Sequence, residues 1–287
     1  MKIVMTTYKN AKALEGLTLG KTTDYASEYN PNLLQGVPRS LNRAQLNLTN
    51  DDLPFYGEDV WYGYELSWLN PKGKPVVAVA EFRVPAISEN IVESKSFKLY
   101  LNSFNQSRFE SHDAVKNLLC SDLSAIAKSP VSVTLFNVDE CPALDIKHLD
   151  GVCIDGHDIS VDDYQFNDAF LHALHGENVT FKEEVLVSHL LKSNCLITNQ
   201  PDWASVYISY SGKEIKQAAL LQYLISFRQH NEFHEQCVER IYTDLQKFGE
   251  FEKLSVFARY TRRGGLDINP FRSSFEQQAP NARTLRQ

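Results

Sequence analysis

Glu183-Glu184-Val185-Leu186-Val187-Ser188-His189-Leu190-Leu191 and Trp203-Ala204-Ser205-Val206-Tyr207-Ile208-Ser209-Tyr210, with the residues that follow them to Tyr260, carry the pattern that decides the fold. Both stretches are rich in β-branched and aromatic residues and read as strands. The polar segment Asn194 to Asp202 separates them. Two helices are expected next, over residues 213–228 and 232–248, the second with Asn231 as N-cap and Gly249 as C-cap. Residues 254–260 then alternate with period two and form a returning strand.

The same grammar is fainter upstream. Residues 61–68 alternate loosely, Asn70-Pro71-Lys72-Gly73 has turn chemistry, and residues 76–84 form the returning strand. Residues 93–102 read as a further strand or strand-like segment, which puts Glu93, Lys95 and Phe97 on one face. Ser111 caps a helix from about His112 to Lys128, in which Val115, Leu118, Leu119, Leu123 and Ile126 keep helical spacing. Pro130 stops it, and a strand begins at Val131. Two strands, paired helices and two more strands, written twice, imply an α+β protein with a duplicated unit and an antiparallel sheet. Residues 1–55, where Pro31, Pro38 and Pro54 break periodicity, form an arm or cap. The units span 56–150 and 151–287, joined through the polar stretch 145–163.

Composition narrows the function. Of 287 residues 43% are hydrophobic and 23% charged, as in a soluble globular protein, and no window reaches the ~18 apolar residues of a membrane helix. The N-terminus lacks an apolar run and a cleavage site of secretory type, so the cytoplasm is expected. With 36 acids, 29 bases and a net charge of −7, the chain is poorly suited to gripping nucleic acid. Five scattered cysteines (Cys120, Cys141, Cys153, Cys195 and Cys237), with no C-x-x-C, argue against a disulfide framework and a structural zinc. Neither a G-x-G-x-x-G fingerprint nor a P-loop is present, so a dinucleotide would have to be held in another way.

Three groups carry candidate chemistry. Cys195 stands where an apolar strand opens into a polar turn, and Asp202 returns across Gln200-Pro201, close enough to supply a proton to an anion formed at the thiol. An isolated cysteine of this kind is ordinarily an inert core residue, and an isolated Asp an ordinary turn residue. His234 and Glu235 occupy the first turn of a helix. There Glu235 either favours the helix dipole or accepts two parallel N–H bonds from a heterocycle, with Phe233 placed to stack on the ring. Arg262-Arg263-Gly264-Gly265 forms a turn whose guanidinium and backbone N–H groups suit a phosphate. Lys95 and Lys98, flanking Phe97, read by themselves as solvated strand lysines.

Residues 93–100 resemble the signature segment of the NADPH-dependent 7-cyano-7-deazaguanine reductases, the nitrile reductases of queuosine biosynthesis. Residues 193–202, Glu232-Phe233-His234-Glu235-Gln236-Cys237 and residues 259–265 match in the same order, and the similarity to the longer, two-module form spans nearly the whole chain. The resemblance implies a tandem tunnelling fold, two ββααββ units with helices packed on one face of antiparallel sheets, and no metal. It implies that Cys195 attacks the nitrile carbon to form a thioimide, with Asp202 as proton donor. It places Val92, Glu93, Phe233, His234 and Glu235 on the substrate, and Ser94, Lys95, Arg262, Arg263 and Gly264 on NADPH, two of which are used per turnover. The partners it implies are the small-molecule substrate and a second copy of the chain, as a cytoplasmic homodimer. Two other readings fit the residues: a cysteine hydrolase acting on a nitrile or purine-like ring, and a non-catalytic purine- or pterin-binding module. The paired Cys195 and Asp202 count against the second of these, and the Arg262 to Gly265 turn against the first.

Overall fold

The computed structural model describes residues 25–140, 145–177, 179–281 and 283–287. The strands are β1 (Gly36–Pro38), β2 (Tyr56–Leu69), β3 (Pro75–Pro85), β4 (Asn90–Val92), β5 (Ser132–Phe136), β6 (Val152–Cys153), β7 (Phe181–Asn194), β8 (Pro201–Lys213), β9 (Phe251–Tyr260) and β10 (Leu266–Ser273). The helices are α1 (Ser40–Arg43), α2 (Ser94–Asn102), α3 (His112–Ala127), α4 (Gln217–Ser226) and α5 (His234–Phe248). Eight strands form one sheet in the order β5-β3-β2-β10-β9-β8-β7-β6, and β1 and β4 make a separate two-stranded ribbon. Among the described residues, every pairing between these strands is antiparallel except the two-residue contact of β6 with β7.

The duplication is visible in register as well as in element order. β2 and β7 each have 14 residues, and each slips register against its hairpin partner at the same place. The slip lies between Gly63 and Leu66 in β2 and between Ser188 and Leu191 in β7, the eighth and eleventh residues of both strands. β7, β8, α4, α5, β9 and β10 complete one ββααββ unit, while β2, β3, α2, α3 and β5 supply the corresponding elements of the other. The units join edge to edge where β2 pairs with β10, from Tyr56↔Ser273 to Gly63↔Leu266.

Each helix pair covers its own half of one sheet face. Trp61, Phe82, Phe97, Tyr100, Leu119 and Leu123 are buried together in the first unit. Ile208, Leu220, Tyr223, Val238, Ile241 and Val256 are buried together in the second. On the opposite face Tyr62, Tyr207, Phe257 and Phe271 pack with Ala279 of the C-terminal segment. Among the described residues, no helix is long and apolar enough to cross a membrane.

Residues 94–102 are helical, with Glu93 the extended residue just before the helix, which corrects the strand reading. Phe97, Tyr100, Leu101 and Phe104 are all buried at i, i+3, i+4 and i+7, the spacing of a helix face. The Glu93 carboxylate caps the helix, accepting from the N–H of Lys95 at 2.8 Å and of Ser96 at 2.7 Å. Elsewhere the boundaries shift. Lys213 ends β8 and α4 begins at Gln217. α5 begins at His234, with Phe233 at its N-cap and no side-chain cap. The helix expected after Ser111 forms over His112–Ala127, with Ser111 Oγ accepting from Ala114 N–H at 3.1 Å.

The segment before β2 is built into the core. Arg39 and Arg43, at the start and end of α1, meet Asp59 of β2, Glu239 of α5 and Arg272 of β10 in a buried ionic network. Arg39 reaches Asp59 at 2.5 Å, Arg272 reaches Asp59 at 2.8 Å, and Glu239 takes Arg43 at 2.7 Å and Arg272 at 2.9 Å. Burial alone would raise the Glu239 pKa, but the three guanidiniums hold it below the usual carboxylate range. Removing this carboxylate strands buried cations, so Glu239→Ala is expected to cost about 3–5 kcal/mol. Urea unfolding should show the midpoint falling with the slope unchanged; a loss under about 1 kcal/mol, typical of surface pairs, would refute the network's role.

Candidate active site

The β7–β8 hairpin positions the thiol and the carboxyl. Ser193 lies opposite Asp202 in the ladder, so Cys195, two residues beyond Ser193, emerges at the hairpin end beside Asp202. The turn is tightly tied. Cys195 N–H donates to Gln200 O at 2.8 Å, and Cys195 O accepts from Asn199 N–H at 3.0 Å and from Asn231 Nδ2 at 3.1 Å. Asn231, expected as a helix cap, instead stitches this turn to the residues before α5. Leu196 and Phe233 pack with Val37 of β1 and Ile91 of β4, which seats the turn against the N-terminal ribbon.

Cys195 and Asp202 are both buried, at 7% and 3% exposure. Burial pushes the Asp202 carboxyl up to about 6, against the opposing pull of Arg263, Lys98 and Lys192. Arg263 pairs directly with Asp202 Oδ1, and His234 Nε2 lies 3.5 Å from the same oxygen. Burial, with Arg263 and Lys98 nearby, holds His234 well below its ordinary pKa, so the ring is neutral at pH 7. The ring packs edge-on against Tyr260, with centroids 4.1 Å apart.

The first unit supplies the facing wall. Ser94 and Lys98, one turn apart on α2, line a narrow cleft with His234, Thr261, Arg263, Leu266 and Ile268. Lys98 had read as a solvated strand lysine; on the helix it faces Glu93, Asp202 and Cys195. Burial and the neighbouring Arg263 lower its pKa, while those three groups oppose the shift. The signal that would have found it is the i, i+4 spacing of Ser94 and Lys98, which becomes informative once the segment is taken as a helix. Burial raises the Glu93 pKa more than the two backbone N–H bonds and Lys98 lower it. Each Glu93 oxygen keeps a lone pair for a further donor.

Arg263, Gly264 and Gly265 form the tight turn from β9 to β10. Arg263 N–H donates to Leu266 O at 2.8 Å, and both glycines have positive φ, at 57° and 73°. Successive left-handed glycines open backbone N–H groups to a ligand, and Gly264 lies against the Lys98 stem, where a Cβ would sit 3.2 Å from Cδ. Lys98, Ser94, Arg263 and this turn together suit a polyanionic cofactor. Arg262 points away and lies over the Tyr64 ring, 5.0 Å from its centroid. Lys95 is half-buried at the second position of α2, and Val92 is buried at the end of β4.

Glu235 is 2% exposed and sits beside the ionic network, near Asp59, Arg39 and Arg272. Burial first, then the Asp59 charge, raise its pKa well above the carboxylate range. Glu232, by contrast, is held at about 2: burial pushes it up, but Arg240 and His230 outweigh that. With Arg240 at 2.7 Å and His230 at 3.0 Å, Glu232 fixes the approach to α5. It had no separate signal in the sequence. Cys120 and Cys153 are free and stand outside this cluster, Cys237 is free and buried on α5 beside it, in contact with Tyr260 and near Asp202, and Cys141 lies outside the described residues.

Two helix pairs on one face of a continuous sheet, with a thiol, a carboxyl and phosphate-ready cations where the two units meet, have the layout of a tunnelling-fold enzyme. Residues 25–135 match the family model described as nitrile reductase, 7-cyano-7-deazaguanine-reductase N-term, and residues 201–279 match that of a QueF-like protein. The chain is 68% identical, over 99% of its length and 100% of the relative's, to an NADPH-dependent 7-cyano-7-deazaguanine reductase of Colwellia psychrerythraea strain 34H. It belongs to the family of NADPH-dependent 7-cyano-7-deazaguanine reductases.

Proposed function

We propose that this protein reduces the nitrile of 7-cyano-7-deazaguanine to the aminomethyl group of 7-aminomethyl-7-deazaguanine, using two NADPH, as a cytoplasmic homodimer in queuosine biosynthesis. The observation that carries this reading is the buried Cys195 and Asp202 at one hairpin end, facing Lys98 of the other unit. A nitrile carbon is a soft electrophile suited to sulfur. As the S–C bond forms, the thiol proton passes to the ionised Asp202 and from there to the nitrile nitrogen, giving a thioimide with no atom lost. NADPH, when bound, supplies two hydrides in succession. Arg263 and Lys98 steady the Asp202 carboxylate between proton transfers, and His234, being neutral, can hydrogen-bond without adding charge. Expulsion of the Cys195 sulfur between the two reductions frees the thiol for the next cycle.

In this reading the Glu93 and Glu235 carboxyls hold the donor edge of the deazaguanine, with Val92 and Phe233 against the ring. Ser94, Lys95, Arg263 and Gly264 take the cofactor. Arg262, stacked on Tyr64, is better placed to brace the turn than to touch the cofactor. The test is cofactor oxidation with product counted by mass spectrometry. Two NADPH per aminomethyl product are expected. Ammonia release with an amide or acid product and no oxidation would transfer the thiol to hydrolysis.

A further inference from the structure

We propose that Cys153, Asp155 and His189 form a second site, for a borderline-soft divalent cation, with zinc(II) the best match. One ligand atom from each lies within 4.8 Å of the others. Zinc bonds to sulfur at ~2.3 Å and to nitrogen or oxygen at ~2.0–2.2 Å, so a movement of roughly an ångström would bring all three donors onto one ion.

The fold assembles these donors from separate positions. β6 pairs with β7 through Val152↔Leu186 and Cys153↔Val187, placing the thiol at the sheet edge. His189 sits in the β7 register slip, where β2 carries Tyr64. In β2 that residue turns inward, its hydroxyl donating to Asp267 at 2.6 Å, whereas His189 is left exposed at the edge. Bulges of this kind re-aim side chains. Because the donors converge from a short strand, its following loop and a bulge, no linear zinc motif marks them.

Two of the three ligands are already oriented. Asp155 Oδ1 accepts from Ser188 Oγ at 2.6 Å, and Oδ2 from His189 N–H at 2.9 Å, leaving lone pairs on both oxygens. The imidazole is held through Nδ1 by Ser205 Oγ at 2.8 Å, and ligation through Nε2 keeps that bond. Outer-shell hydrogen bonds of this type fix ring orientation and raise ligand basicity. A thiolate, an imidazole and a carboxylate favour zinc or cobalt over magnesium or calcium. Three protein donors leave a fourth position for water or for His148, which lines the adjoining cavity with His189 and Ser205. Cys153 and His189 are exposed, so the ion can enter and leave.

Cobalt(II) titration of the metal-free, reduced protein tests this directly. One equivalent is expected to produce thiolate-to-cobalt charge-transfer absorption that zinc(II) abolishes. Cys153→Ser should lose the band while oxidising NADPH with substrate at the parent rate, which shows that it folds. Ser205→Ala, which only unfastens the imidazole, should weaken binding roughly 10- to 100-fold. Absence of the band, or its persistence in Cys153→Ser, would overturn the site.

Discussion

Cys195→Ala is expected to remove turnover, roughly 10⁴-fold or more in kcat, while leaving affinity for 7-cyano-7-deazaguanine largely intact. The separation follows from how the residue is held. Its backbone N–H and carbonyl, bonded to Gln200, Asn199 and Asn231, keep the turn in place whatever the side chain. The carboxyls proposed to bind the heterocycle stand at the N-cap of α2 and in the first turn of α5 rather than on the hairpin. Incubation without NADPH isolates the covalent step. Wild type should gain the full mass of the substrate, since addition across the nitrile loses nothing, and the variant should gain none. Adduct formation should also track Asp202. Its carboxyl, raised to about 6 by burial, accepts the thiol proton only when ionised, so the rate should climb through about pH 6 and then level. Asp202→Asn should flatten that profile. A rate that falls above pH 6 would mean that the thiolate is preformed and Asp202 must arrive protonated. Full turnover in Cys195→Ala would end the covalent mechanism.

Short-range pattern made the hairpins and the long helices legible. β2 and β3 are joined by a turn whose residues declare it, and α3 follows from Ser111 and five apolar positions at helical spacing. The segment from Glu93 failed because eight residues are too few to separate the two periods. Glu93, Lys95 and Phe97 alternate, and the helical face declares itself only when Leu101 and Phe104 are counted. With the wrong period Lys98 lost its meaning, whereas the turn alone put Cys195 and Asp202 at one hairpin end, where the β7–β8 ladder also has them. What no local reading could supply is the ionic network. Arg43 and Glu239 are 196 residues apart, and neither Arg43, in a segment read as an arm, nor Glu239, on an amphipathic helix, has a pattern that pairs them. Glu235 was picked out from its helix position, but its charge state depends on that distant network.

That dependence gives the second large effect. Three arginines, Arg39, Arg43 and Arg272, face two carboxylates, Asp59 and Glu239, with Glu235 beside them as the third acid. In the free protein burial and the Asp59 charge favour protonated Glu235, with Arg39 and Arg272 opposing. A heterocycle that presents two N–H donors favours the ionised form, so binding lowers the Glu235 pKa and releases a proton. The sign follows from linkage. Affinity is greatest above the raised pKa of the free protein, and falls as pH drops through it, by up to about tenfold per unit for one proton. Glu235→Ala should weaken substrate binding by about 10- to 100-fold, the worth of a charge-assisted pair, and NADPH binding far less. Glu235→Gln keeps the shape but cannot titrate, so its dissociation constant should be flat with pH across the range where wild type varies. Calorimetry in two buffers of different ionisation enthalpy counts the proton directly. Equal pH dependence in wild type and Glu235→Gln would place the titrating group elsewhere, and loss of NADPH affinity in place of substrate affinity would assign Glu235 to the other half of the site.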